Sequence, residues 1–242
     1  TVQEIAQALR GTNKPVLVKN PVNPDLALWI GAMERLLGQD VKNLGVIHRG
    51  FSNYQKTKYR NVPNWTIALD FKKQFPNIPM VVDPSHICGN RTGLAAISQE
   101  ALNCGYEGLM IETHPNPDEA WSDAAQQITP EVLAELLSNL KTRNQDISGY
   151  EDEMGKHRTL ISDIDFQLIS LLNQRMKVSE KIGTLKKENN IALFQPDRWK
   201  VIAEYAAQKA DETGMSREFI EKVFNAIHEE SIDVQNNIMI NK

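Results

Sequence analysis

The sequence predicts an α/β half followed by an all-α half. Three observations carry that reading. Short, β-branched apolar runs alternate with helical patterns through the first half, at a spacing of about 30 residues, the size of one strand–helix unit. The polar segment 144–155, "NQDISGYEDEMG", then interrupts the pattern. Beyond it no strand-period alternation is visible, and Pro196 is the only proline.

The chain opens on a helical pattern, "TVQEIAQALRG". Strands are expected at "VLVKN" (16–20), "LGVIH" (44–48), "MVVD" (80–83) and "GLMIE" (108–112). Continuous apolar runs of this kind suit strands covered on both faces, as in a parallel sheet. The helical patterns "PDLALWIGAMERLLG", "NWTIALDFKKQF", "TGLAAISQEALNCG" and "TPEVLAELLSNLK" separate and follow them, with Pro and Gly at the joins. Four such units make half of a (β/α)₈ barrel or a small doubly wound sheet. In the second half, helices are expected at 156–189, 196–211 and 216–238, joined by "NNIALFQ" and "ETGMS". The domains are therefore 1–143 and 156–242, with 144–155 as linker.

Composition narrows the function classes. A chain of 242 residues with 41% hydrophobic and 24% charged residues has the make-up of one large or two ordinary globular domains. A net charge of −4 gives no electrostatic case for a nucleic-acid partner. No apolar run is long enough for a membrane span, and no signal-peptide pattern opens the chain. Cys88 and Cys104 make no disulfide framework, so a reducing cytoplasm fits best. The sequence lacks an initiator Met, and the native protein is expected to be longer.

In α/β folds, functional groups gather beyond the carboxyl ends of the strands. Here those positions carry Lys19 and Asn20, His48 and Arg49, Asp83 and His86, then Glu112 and His114, with Asp123 close behind. His86, Glu112 and Asp123 form a nitrogen–oxygen ligand set for a divalent metal acting as a Lewis acid. Lys19 and Arg49 would give charge-assisted contacts to phosphate or carboxylate groups. His48 and His114 are candidates for contacts behind the ligands. Cys88 reads as a small buried side chain.

The motifs "VLVKNP", "IHRGF", "VVDPSH", "IETHPNPDEAWSDAAQQ" and "EVLAELL" resemble, in order, the second half of 3-deoxy-D-arabino-heptulosonate-7-phosphate (DAHP) synthase, in its shorter type Iβ form. The resemblance covers residues 1 to 141. It implies the C-terminal half of a (β/α)₈ barrel that condenses phosphoenolpyruvate with erythrose 4-phosphate. It also implies His86, Glu112 and Asp123 as ligands to a divalent metal such as Mn, Fe, Zn or Co, and Lys19 and Arg49 as phosphoenolpyruvate contacts. The family's fourth metal ligand, an early cysteine, and its Lys-Pro-Arg motif do not appear, so the synthase site is expected to be incomplete in this chain. A half barrel would also expose strand edges and apolar surface.

The long helical pattern "HRTLISDIDFQLISLLNQRMKVSEKIGTLKKE" carries a broad apolar face. Ile161, Leu168 and Ile182 share one heptad position; Leu172 adjoins it, and Ile164, Leu171, Val178 and Leu185 form a further row. Arg158, Arg175 and Lys186 fall on that same face, where a charge is costly unless something anionic neutralises it. An internal ion pair to Asp165 or Glu180 is the plain reading. The other is a small dianion gripped by Arg175 and Lys186, which lie about 16 Å apart along the helix. Arg158 is roughly 25 Å from Arg175 by the same rise, so it would reach the ligand only from an antiparallel second copy. The cation pattern thus predicts an intertwined homodimer with shared sites.

"HRTLISDID", "LLNQRMKVSEKIGTLKKE", "DRW" and "EESIDVQ" resemble the all-helical chorismate mutase of the AroQ class over residues 156 to 238. The resemblance implies a three-helix domain whose site is lined by Arg175, Lys186, Arg198, Ser231 and Gln235, with Arg158 donated by the partner. Gln195 stands where an acidic residue is common, and Trp199 replaces a usual Glu. Gln195 still pairs with a substrate hydroxyl, since an amide both donates and accepts. The chorismate-to-prephenate rearrangement is intramolecular, so the mutase half needs no cofactor. Its catalysis rests on holding the reactive conformer, with Lys186 and Gln235 on the breaking ether oxygen and Arg158 and Arg175 on the carboxylates.

The expected function is therefore a bifunctional shikimate-pathway enzyme, cytoplasmic and dimeric, with no nucleic-acid or membrane partner. In a second reading the helical half is a non-catalytic dimerisation or effector-sensing module that regulates a metal-dependent barrel aldolase. Gln195 and Trp199 give that reading its standing.

Overall fold

The computed structural model describes residues 1–54, 57–144 and 146–240, apart from the side chains of 196 and 197. Gln145 of the expected linker and residues 241–242 of the expected second domain lie outside the described residues. The chain divides into two compact units, Thr1–Asp146 and Ile147–Lys242.

The first unit runs α1 (Val2–Leu9), β1 (Val16–Lys19), α2 (Leu26–Leu37), β2 (Leu44–His48), α3 (Trp65–Gln74), β3 (Met80–Val82), α4 (Pro84–Cys88), α5 (Leu94–Asn103), β4 (Gly108–Leu109) and α6 (Pro130–Asn139). The four strands form one parallel sheet in the order β1-β2-β3-β4. The expected strand–helix order is thus present, a partial barrel-like sheet. β2 is buried at all five positions, whereas Leu17 on the outer strand β1 is 47% exposed. A Cβ at Gly45 in β2 would lie 2.7 Å from Leu17 Cδ2 and 3.2 Å from the Pro79 carbonyl, so the Leu17 side chain would have to move to admit one. β4 is shorter than its apolar run, stopping at Leu109 rather than 112.

Helices begin where the chemistry says they should. Asp25 accepts from the Leu28 N–H and Thr129 from the Val132 N–H, each satisfying a donor that the first helical turn leaves unpaired. Pro84 and Pro130 open α4 and α6, where a missing N–H costs nothing. Between sheet and helices lies an apolar core around Trp29, Phe71, Met80, Ile87 and Ile97. The Trp29 and Phe71 rings are 4.7 Å apart, and the indole N–H donates to the Val18 carbonyl at 3.3 Å.

His48 belongs to this core. It is fully buried among Trp29, Phe51 and Trp65. Burial pushes its imidazole down to about 4, so it is neutral at neutral pH. The sequence reading offered it only as a candidate for a contact behind the metal ligands. The structure corrects this: in a sheet covered on both faces, a strand-end residue points into packing as readily as toward a site.

The second unit is three helices: α7 (Glu151–Glu188), α8 (Pro196–Thr213) and α9 (Arg217–Ile240). α7 starts five residues before the expected 156, because Glu151, Asp152 and Glu153 suit the positive end of a helix. The turn lies at Gly149, whose φ of 88° a side chain would strain. α7 lies close against α9 at Gly183, where a Cβ would lie 3.1 Å from Gln235 Cα. The buried apolar cluster of this unit is small, Ala206, Ala210 and Ile220 with Phe224 against it. By contrast Ile161, Ile164, Leu168, Leu171, Val178 and Leu185 on α7 are each more than half exposed. No helix among the described residues is long and apolar enough to cross a membrane.

Candidate functional site

The first site grows from Asp83, buried at the end of β3 and N-capping α4. One carboxylate oxygen accepts from the His86 backbone N–H at 3.0 Å. The other lies 3.1 Å from Lys19 Nζ and 2.8 Å from His86 Nδ1, the latter outside hydrogen-bond alignment. With Nδ1 on this carboxylate, His86 Nε2 faces Glu112, 3.9 Å from its Oε1. Ser85 Oγ in turn accepts from the Glu112 N–H at 3.0 Å. One ligand atom each from His86, Glu112 and Asp123 lies within 4.8 Å of the others. An imidazole nitrogen backed by a carboxylate, with two carboxylate oxygens, fits a divalent transition metal.

Two residues that sequence reasoning missed hold this set. Arg60 Nη1 donates to Asp123 Oδ1 at 2.8 Å and to Gln126 Oε1 at 2.9 Å. Gln126, itself buried, donates to Glu112 Oε2 at 2.6 Å. One oxygen of each carboxylate is therefore tied down through Arg60. Its hydrogen bond also holds the Asp123 carboxyl below the usual carboxylate range. The Arg60 stem crosses Gly89, where a Cβ would come within 2.5 Å of it. Arg60 lies well past the end of β2 in the sequence and on no helix, so neither a strand-end nor a helix-face pattern marks it.

Arg49 is half-buried, its backbone N–H bonded to Asn20 Oδ1 at 2.7 Å, and its charge acts on Asp123. His114 Nδ1 accepts from the Asn116 N–H at 3.0 Å, closing a local turn. Cys88 is buried, and burial pushes its thiol up to about 11.

The second site is a cavity of about 380 Å³ within the helical unit, lined by Arg175, Lys186, Gln195, Arg198, Ser231 and Gln235. Six expected residues thus meet in one place. The seventh, Arg158, is exposed and is not among the lining residues. Arg175 donates to Ser231 Oγ and, at 3.3 Å, to the Ile227 carbonyl; no ion pair to Asp165 or Glu180 is present among the described residues. Lys186, 8% exposed, donates to the Leu193 carbonyl. Burial pushes both cations below their ordinary values. His228, which the sequence reading left without a role, also lines this cavity, stacked on Trp199 at 4.1 Å.

Comparison with known proteins assigns both units. Residues 2–148 match the model of the DAHP synthetase I family. The chain belongs to that family. Residues 157–236 match chorismate mutase type II, so this DAHP synthetase I chain is a fusion of the two families, both of them enzymes. It is 29% identical over 129 residues to phospho-2-dehydro-3-deoxyheptonate aldolase of Thermotoga maritima, covering 53% of this chain and 38% of that protein. It is 33% identical over 94 residues to 2-dehydro-3-deoxyphosphooctonate aldolase of Francisella tularensis subsp. novicida, covering 34% of each. The chain therefore spans well under two thirds of these curated relatives. A truncated 3-deoxy-D-arabino-heptulosonate 7-phosphate synthase from Thermotoga maritima shares the fold, with a TM-score of 0.52 and 24% identity over 63% of this chain and 55% of that one. The synthase family is a metal-dependent aldolase family.

Proposed function

We propose that this chain is part of a cytoplasmic, homodimeric shikimate-pathway enzyme that converts chorismate to prephenate in its helical unit and contributes the metal-binding half of a DAHP synthase site. The observation that carries the mutase reading is the cavity itself, where Arg175, Lys186 and Arg198 converge without a carboxylate among its described lining residues. Such a cavity selects a small polyanion. Arg175 and the partner's Arg158 hold the substrate carboxylates, which folds the substrate into its reactive conformer. Lys186 and Gln235 donate to the ether oxygen as its bond breaks and negative charge grows there. The rearrangement needs no nucleophile and no proton transfer.

In the first unit, His86, Glu112 and Asp123 would hold a divalent metal, which as a Lewis acid polarises a carbonyl oxygen. Lys19 and Arg49 take the phosphate and carboxylate of phosphoenolpyruvate, and Asp83 holds Lys19 in position for this. The second substrate is erythrose 4-phosphate.

The test of the mutase reading follows the absorbance of chorismate in the presence of the purified chain. Decay that Arg175→Ala abolishes supports catalysis. Tight binding without decay supports the effector-sensing reading instead, to which Gln195 and Trp199, standing where acidic residues are usual, give support. For the metal site, Arg60→Gln is expected to weaken Mn²⁺ binding about 10- to 100-fold, the usual cost of losing a residue that orients ligands. Titration calorimetry checks it, with His86→Ala as the variant that loses the ion altogether.

A further inference from the structure

Two residues that line the mutase cavity each carry a buried polar atom without a hydrogen-bond partner, His228 Nε2 and Gln235 Oε1. A buried polar atom left unpaired costs about 1–3 kcal/mol, so a pair of them at one cavity marks where a ligand completes the bonding. His228, Ser231 and Gln235 are spaced i, i+3, i+7 and so share one face of α9. That face looks across the cavity at Arg175 and Lys186 of α7.

The imidazole is held by stacking. Trp199 lies over it at 4.1 Å with an angle of 22° between planes, and Phe194 flanks it at 6.1 Å. Burial, then the charges of Arg175 and Lys186 on α7, keep His228 below its ordinary value, with Glu229 opposing them. It is therefore neutral, with one ring nitrogen donating and the other accepting. A neutral ring is a poor partner for a carboxylate beside three available cations. It is a good one for an uncharged hydroxyl. Ser231 is already engaged, taking the Arg175 hydrogen bond and donating to the Ile227 carbonyl at 2.7 Å.

We infer that His228 is a further substrate-contacting residue of the mutase site, its Nε2 hydrogen-bonded to the ring hydroxyl of the substrate and its plane fixed by Trp199. The inference rests on the mutase reading. It assigns to this chain a hydroxyl-recognising imidazole where Gln195, which is exposed, offers a weaker contact.

The variant His228→Phe keeps the stack and removes both nitrogens. It is to be measured on chorismate and on the analogue carrying hydrogen in place of the ring hydroxyl. The expected result is a loss in kcat/KM of about 10-fold on chorismate, mostly in KM, and less than 2-fold on the analogue. Equal losses on both compounds, or none on chorismate, would overturn the assignment. Thermal unfolding of His228→Phe separates a folding defect, which lowers both rates together, from a lost contact. A wild-type chain that neither binds nor converts chorismate refutes the mutase reading itself, and that is read before any variant is made.

Discussion

Lys186→Ala is expected to lower kcat for chorismate by about 100- to 1,000-fold, the range found when one preorganised donor to a developing oxyanion is removed. The folded state should barely notice. Lys186 is buried yet has no carboxylate partner among the described residues, its ammonium resting on the Leu193 carbonyl. An unpaired buried cation opposes folding, and deleting it relieves that cost while leaving a small void. Stability and turnover should therefore separate: melting temperature nearly unchanged, turnover collapsed. Lys186→Arg would not rescue, because a planar fork cannot replace a compact ammonium at one oxygen. Near-normal turnover in the Ala variant would remove Lys186 from the chemistry.

What the sequence made legible follows from where the chemistry sits. The strand ends named His86, Glu112 and Asp123, because parallel strands all deliver their carboxyl ends to one side of the sheet. The misplaced cations on α7 named Arg175 and Lys186, because a helix has a readable face. Arg60, Gln126 and His228 were invisible for the converse reason. Each reaches its site from a loop or another helix, and no local period predicts which long side chain crosses Gly89 or stacks on Trp199. His48 misled because every position of β2 is buried, which erases the alternation that separates inward from outward.

Ile164→Glu is expected to give a monomer without mutase activity. α7 has 38 residues and so spans about 57 Å, and its apolar row stands open to solvent in a single chain. Large aliphatic side chains gain about 1.5–3 kcal/mol each on burial, so a second copy laid along this row would be strongly favoured. A carboxylate in its middle would have to be desolvated without a partner. Activity should fall with association because Arg158 is absent from its own chain's cavity. Sedimentation equilibrium gives the mass, and chorismate decay gives the activity. A sharper form of the test pairs two dead enzymes. Arg158→Ala and Lys186→Ala each spoil every site of their own homodimer. When the two are unfolded and refolded together, half of the dimers are mixed. In each mixed dimer one site regains both cations and the other loses both. About a quarter of the wild-type activity should therefore return, by the two-fold geometry of shared sites. If nothing returns, Arg158 does not cross between chains, and the exposed row of α7 has some other partner.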